Sequence, residues 1–243
     1  MMAFQHRESL QIMSTSSRVF EAAHHQPQVA PRSRACFALG AVIGPLVFTL
    51  AWLVLGAISP GYSVFGVYIA PYSPIAQPIS GLGMGVTAPY MNAAFVLSGL
   101  LMFVGVVGIC RALPSRPALR WLCAALLALT PLGLILAGLF NLESPMLHYV
   151  GALLGLGSPV LSFLVTGLVL RGIPGWRRLG TGLLLTSPIS LVLLVVFFAS
   201  FDQATTAANQ GIAGLAQRVL VLQEFVWFAA LGWFAYRRSE GGN

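Results

Sequence analysis

The feature that most constrains this chain is the alternation of long apolar runs with arginine. Six runs, at 36–58, 90–110, 121–140, 147–170, 179–201 and about 214–236, are long enough to cross a bilayer. At 1.5 Å rise per residue, about 20 residues cover the ~30 Å hydrocarbon layer. Four of the runs carry no charge, the fourth run holds only His148 near its start, and the last carries Arg218 and Glu224. All 13 basic residues are arginine, and twelve of them fall before run one, between runs two and three, between runs four and five, or after run six. The intervening connections 59–89, 141–146 and 202–213 hold none. Arginine-rich connections stay where translation takes place, so both termini are expected in the cytoplasm. The same alternation supports the count of six, because removing one run would scramble it.

Composition agrees. Charged residues are 8% of the chain, against about 25% in a soluble domain, and hydrophobic residues are 57%. So little charge cannot cover a surface facing water. The expected fold is all-α: a polytopic bundle of six transmembrane helices spanning 36–238, with cytoplasmic tails at 1–35 and 239–243, in the cell membrane. The tail 1–35 is read as disordered, and its adjacent His24 and His25 as a poor metal site. The net charge of +7 is scattered between apolar runs, which excludes nucleic acid and points to membrane lipids as partners. Three cysteines, Cys36, Cys110 and Cys123, lack metal or disulfide spacing. No metal and no cofactor is expected, and the oligomeric state is not readable.

Pro45, Pro131, Pro159 and Pro188 lie inside the runs, each after a small or hydroxyl residue. Such hydroxyls can satisfy a carbonyl that proline leaves free. Gly151 and Gly155 form a close-packing pattern for a helix contact. The connection 59–89 has 31 residues, no charge, five prolines and Tyr62, Tyr68 and Tyr72. Disorder goes with charge and few aromatics, so an ordered outward-facing cap is expected, with re-entry into the bundle left open.

Polar residues in a bilayer need partners. Here they gather toward one face: Asn92, Asn141, Glu143, His148, Asp202, Gln217, Arg218 and Glu224. Gln217 and Glu224 are seven apart and share a helix face, with Arg218 about 100° away. Arg218 can snorkel; Glu224 lies two turns deeper and needs a cation or a proton, with Arg218 or His148 as the natural partner. The alternative reading is a buried clamp that pins the last helix to the bundle.

At these positions the chain resembles the family of prokaryotic membrane proteins catalogued as domain of unknown function 998. The resemblance covers residues 36–238. It rests on Pro60-Gly61-Tyr62-Ser63, on Ile79-Ser80 with Leu82-Gly83, and on Asn92 with Phe95. It continues with Phe140 and Glu143, His148, and Gly214 with Gln217-Arg218. The family typically carries an acidic residue where this chain has Gly81. The resemblance implies a multi-pass membrane protein and supplies no mechanism.

Four functions stay open. The first is an outward-facing polar pocket for a lipid or small ligand, lined by Ser80, Asn92, Asn141, Glu143, His148, Arg218 and Glu224. The second is a lipid-modifying hydrolase or transferase, with His148 as base and Glu143 or Glu224 orienting it. The third is a proton-coupled carrier using Glu224, and the fourth a structural membrane subunit. Whether the chain is an enzyme stays open with them.

Overall fold

A computed structural model of the protein describes residues 32–64, 66–69 and 71–240. His24, His25 and the rest of the N-terminal tail up to residue 31 lie outside the described residues, as do residues 241–243. Six helices are long and apolar enough to span a membrane: α1 Ala35–Ile58, α2 Gly85–Ala112, α3 Pro117–Leu139, α4 Pro145–Arg171, α5 Arg177–Ser200 and, after a short α6 at Gln203–Ala207, α7 Ala213–Glu240. The chain is a multi-pass membrane protein. The helices run past the expected boundaries by up to five residues, because polar first and last turns carry no apolar signal. Residues 32–35, expected in the tail, begin a 3-10 segment, Arg32–Leu39, whose later residues form the start of α1 before its α-helical part at Gly40.

Starts and stops follow local chemistry. Pro89, Pro117 and Pro145 stand in the first turns of their helices, where a missing N–H costs nothing. Asp202 caps α6, its carboxylate accepting from Thr205 N at 2.9 Å. In α4 a π turn at Leu153–Gly157 precedes Pro159. Proline cannot donate to the carbonyl four residues back and its ring collides with it, so widening the preceding turn lets the helix continue.

Small residues set the closest helix contacts. A Cβ at Gly133 of α3 would lie 2.2 Å from Gly155 N and 2.6 Å from Gly151 O of α4. The Gly151/Gly155 pattern is therefore a contact inside the bundle. A Cβ at Gly105 of α2 would lie 2.1 Å from Ala41 N of α1. The hydroxyls that precede the helix prolines reach across to neighbouring helices, where an interaction with the local carbonyl was expected. Thr130 and Ser158 hydrogen-bond each other at 2.9 Å between α3 and α4, and Ser187 of α5 donates to Val160 O of α4 at 2.7 Å.

α7 packs against α1, α2 and α5 and so joins the two sides of the bundle. Gln223 fastens it to α5, accepting from Ser190 Oγ at 3.1 Å and donating to Thr186 Oγ1. Large apolar side chains such as Leu50, Leu122, Leu185, Val192 and Val226 stay exposed around the bundle, a surface that suits hydrocarbon and not water.

The connection 59–87 is ordered as a cap at the end of the bundle opposite the arginine-bearing connections. It opens with an antiparallel hairpin, β1 Tyr62–Val64 and β2 Val67–Ile69, in which Tyr62 pairs with Ile69. Gly66 supplies the left-handed backbone of its turn at φ +77°. A 3-10 turn, Ile79–Gly83, then leads to α2, whose own first residues, Gly85–Thr87, form a second 3-10 turn before the α-helical part begins at Ala88. The hairpin is the one departure from an all-α reading among the described residues.

Candidate functional site

The cap is held down chiefly from α7. Leu215 N donates to Ile75 O at 2.9 Å, and Gln217 Oε1 accepts from Ile79 N at 2.6 Å. Arg218 does most. Its guanidinium donates to Pro74 O at 2.7 Å, Gln77 O at 3.0 Å, Gly214 O at 2.9 Å and the Tyr72 hydroxyl. It also lies over the rings of Trp52 and Tyr72, 5.1 and 5.8 Å from their centroids. Gly214 must be glycine for this closeness, since a Cβ there would lie 2.2 Å from Gln77 O. Asn209 adds a second tie, accepting from Gln77 Nε2 at 3.1 Å and donating to Pro71 O at 3.0 Å.

Beneath the cap lies a small cavity of about 40 Å³. Ser80, Thr130, His148, Gln217 and Glu224 supply its polar lining, from the cap, α3, α4 and α7, within walls that include Phe48 and Phe95. One water needs about 10–15 Å³, so this space holds a few waters or a small polar group. Glu224 is 1% exposed, and its Oε1 has no hydrogen-bond partner among the described residues. His148 is also buried, with Nδ1 2.9 Å from Phe140 O. A carbonyl only accepts, so Nδ1 carries a proton, and in a neutral ring the lone pair is then on Nε2.

A second, larger cleft of about 440 Å³ opens beside the hairpin. Its walls include Tyr62, Val67, Ile69, Tyr149 and Phe201, with Asp202 at its margin. That volume lies in the range of small-molecule clefts, about 300–1,000 Å³. Ser80 lines both this cleft and the small cavity. Gly81 also faces the cleft, and a Cβ there would lie 2.6 Å from the Tyr62 hydroxyl. Burial and the neighbouring Tyr72 push the Tyr62 phenol above its ordinary range, so it stays neutral as a donor.

Of the residues singled out from sequence, Ser80, His148 and Glu224 come together. Gln217 joins them on the face it shares with Glu224, as the seven-residue spacing predicts. Arg218 does not line the cavity; its Nη1 is taken by the cap carbonyls of Pro74 and Gln77 and by Gly214 O of α7, its Nε has no hydrogen-bond partner among the described residues, and it gives Glu224 no ion pair among them. Asn92 donates to Gly83 O at 3.2 Å and holds the cap's 3-10 turn over the start of α2. Asn141 and Glu143 form a local turn, Glu143 N donating to Asn141 Oδ1 at 3.0 Å, and Glu143 is exposed. Phe140 O orients His148, where a carboxylate was expected to do so. Gln77, Asn209 and Gln223 were not singled out, and Tyr72 was named only as a tyrosine of the cap, not as a partner of Arg218. Their partners lie 30 or more residues away or on backbone atoms, and no spacing reveals such pairs.

The family described as "Protein of unknown function (DUF998)" matches residues 42–234. The chain belongs to this family. No curated protein and no solved structure matches it. The matched segment of this DUF998 protein includes the cap, both cavities and all but the ends of the outermost helices.

Proposed function

We propose that the protein binds an amphipathic ligand, a lipid or a small molecule, through the cap face. The apolar part occupies the 440 Å³ cleft, and a hydrogen-bond-donating head passes Ser80 toward Glu224. One observation carries this reading: Glu224 is 1% exposed, yet Oε1 lacks a partner among the described residues, and the residue lines a cavity that shares Ser80 with a ligand-sized cleft. A buried polar group left unpaired costs about 1–3 kcal/mol. A ligand that supplies the missing donor recovers that cost. The arginine alternation supports a plasma-membrane orientation with both termini cytoplasmic and the cap outward.

Native mass spectrometry of the detergent-purified protein tests this. The wild type is expected to retain a ligand, and Glu224→Leu and His148→Ala to lower the retained fraction at least about tenfold. Glu224→Leu should meanwhile keep or raise thermal stability, because an apolar side chain replaces an unpaired carboxyl. An unchanged ligand load in both variants rejects the reading.

A lipid-modifying hydrolase or transferase is the second reading. It is favoured by the Ser80 hydroxyl and the His148 imidazole lining one cavity, with Nδ1 held by Phe140 so that Nε2 can accept a proton. Incubation with a labelled lipid extract should give products that Ser80→Ala and His148→Ala each reduce at least about a hundredfold. The same products from all three proteins end that reading.

A further inference from the structure

A third cavity lies at the opposite, arginine-bearing end of the bundle, in the groove between α2 and α3, and measures about 470 Å³. Its walls are apolar: Phe103, Val106 and Val107 from α2, Ala124, Ala125 and Ala128 from α3. Arg111, Arg120 and Trp121 line it where these helices meet their connection. Trp121 is 64% exposed, as expected of an aromatic at the headgroup level. Cys110, which also lines the groove, ties the two helix ends together, its Sγ lying 3.7 Å from Arg120 O.

Among the described residues neither arginine has a carboxylate partner. Arg111 rests on the Phe37 ring, 5.5 Å from its centroid, a contact with the ring face that uses none of its N–H donors. Arg120 Nε is buried with no hydrogen-bond partner among the described residues. Among the described residues no acidic side chain lines the groove. Two guanidinium groups at the rim of an apolar groove ask for one molecule that is anionic at its head and apolar below. A phosphodiester accepts from both guanidinium groups, and its acyl chain continues along the valine and alanine wall. Basic pockets between transmembrane helices take anionic lipid heads in this way.

We infer that the α2–α3 groove is a binding site for an anionic phospholipid, its phosphate on Arg111 and Arg120 and one acyl chain against Val106, Ala125 and Ala128. The site is separate from the cap-side cleft and stands whether or not that cleft holds a ligand.

The test counts lipids retained on the purified protein by native mass spectrometry after titration with phosphatidylglycerol or with phosphatidylcholine of the same chains. The wild type should prefer phosphatidylglycerol at least fivefold. Arg111→Ala/Arg120→Ala should remove that preference. Arg177→Ala/Arg178→Ala, which deletes the same charge elsewhere at this end, should keep it. Ala125→Phe, which fills the groove from an exposed position and leaves both arginines, should weaken phosphatidylglycerol retention at least fivefold. Equal loss in the two arginine pairs overturns the inference, because the effect is then net charge alone. So does retention unchanged by Ala125→Phe. Displacement of the lipid by glycerol 3-phosphate at equal concentration also overturns it, because the groove then contributes nothing.

Discussion

Arg218→Ala is expected to cost about 3–5 kcal/mol and to release the cap while the six spans persist. The arginine donates to three backbone carbonyls, of Pro74, Gln77 and Gly214, and to the Tyr72 hydroxyl. It is 6% exposed. Each buried acceptor left empty costs about 1–3 kcal/mol, partly recovered where water enters. The contacts with Trp52 and Tyr72 add about 0.5–2 kcal/mol. Arg218→Lys should restore less than half, since an ammonium cannot serve three carbonyls and stack on two rings at once. Hydrogen exchange over residues 71–83, beside thermal unfolding in detergent, gives the readout. A cap as protected in Arg218→Ala as in the wild type would show that the other ties suffice.

Gly133→Ala is expected to destabilise by about 3 kcal/mol, although alanine is the better helix former. The added carbon would lie 2.2 Å from Gly155 N and 2.6 Å from Gly151 O, both backbone atoms that cannot rotate away. α3 and α4 must separate, which weakens the Thr130–Ser158 bond and opens the Glu224 cavity between them. Gly172→Ala is the matched control. The nearest atom to its added carbon is Val169 O at 3.5 Å, so that change should stay within about 0.5 kcal/mol of the wild type. The two thermal midpoints, measured in the same detergent, decide the matter; equal midpoints would rule out a tight α3–α4 contact.

These predictions rest on unequal sources. The six spans were legible because each is a local property: a run of apolar residues bounded by arginine or proline. That the 59–89 connection is ordered could also be read, since Tyr62, Tyr72 and five prolines without charge do not suit a solvated coil. The hairpin within it could not be read, because strands of three residues leave no alternation to follow. Around the candidate site, helix periodicity placed Gln217 and Glu224 on one face. It could not say that Arg218, one residue on, turns toward carbonyls contributed by the cap. Nor could it show that Ser80 stands between two cavities. Glu224 drew attention by its charge, while the tie between α7 and α5 falls to its uncharged neighbour Gln223.

The contact between Arg218 and the cap also has an order in time. Arg218 and Pro74 are 144 residues apart. At about 5–20 residues per second, roughly 7–30 s separate their emergence from the ribosome. Until the last helix enters the bilayer, Pro74 and Gln77 must offer their carbonyls to water or to lipid headgroups. α7 therefore completes a connection made 144 residues earlier, and a chain halted before α7 would present an unfinished surface that quality-control proteases can recognise.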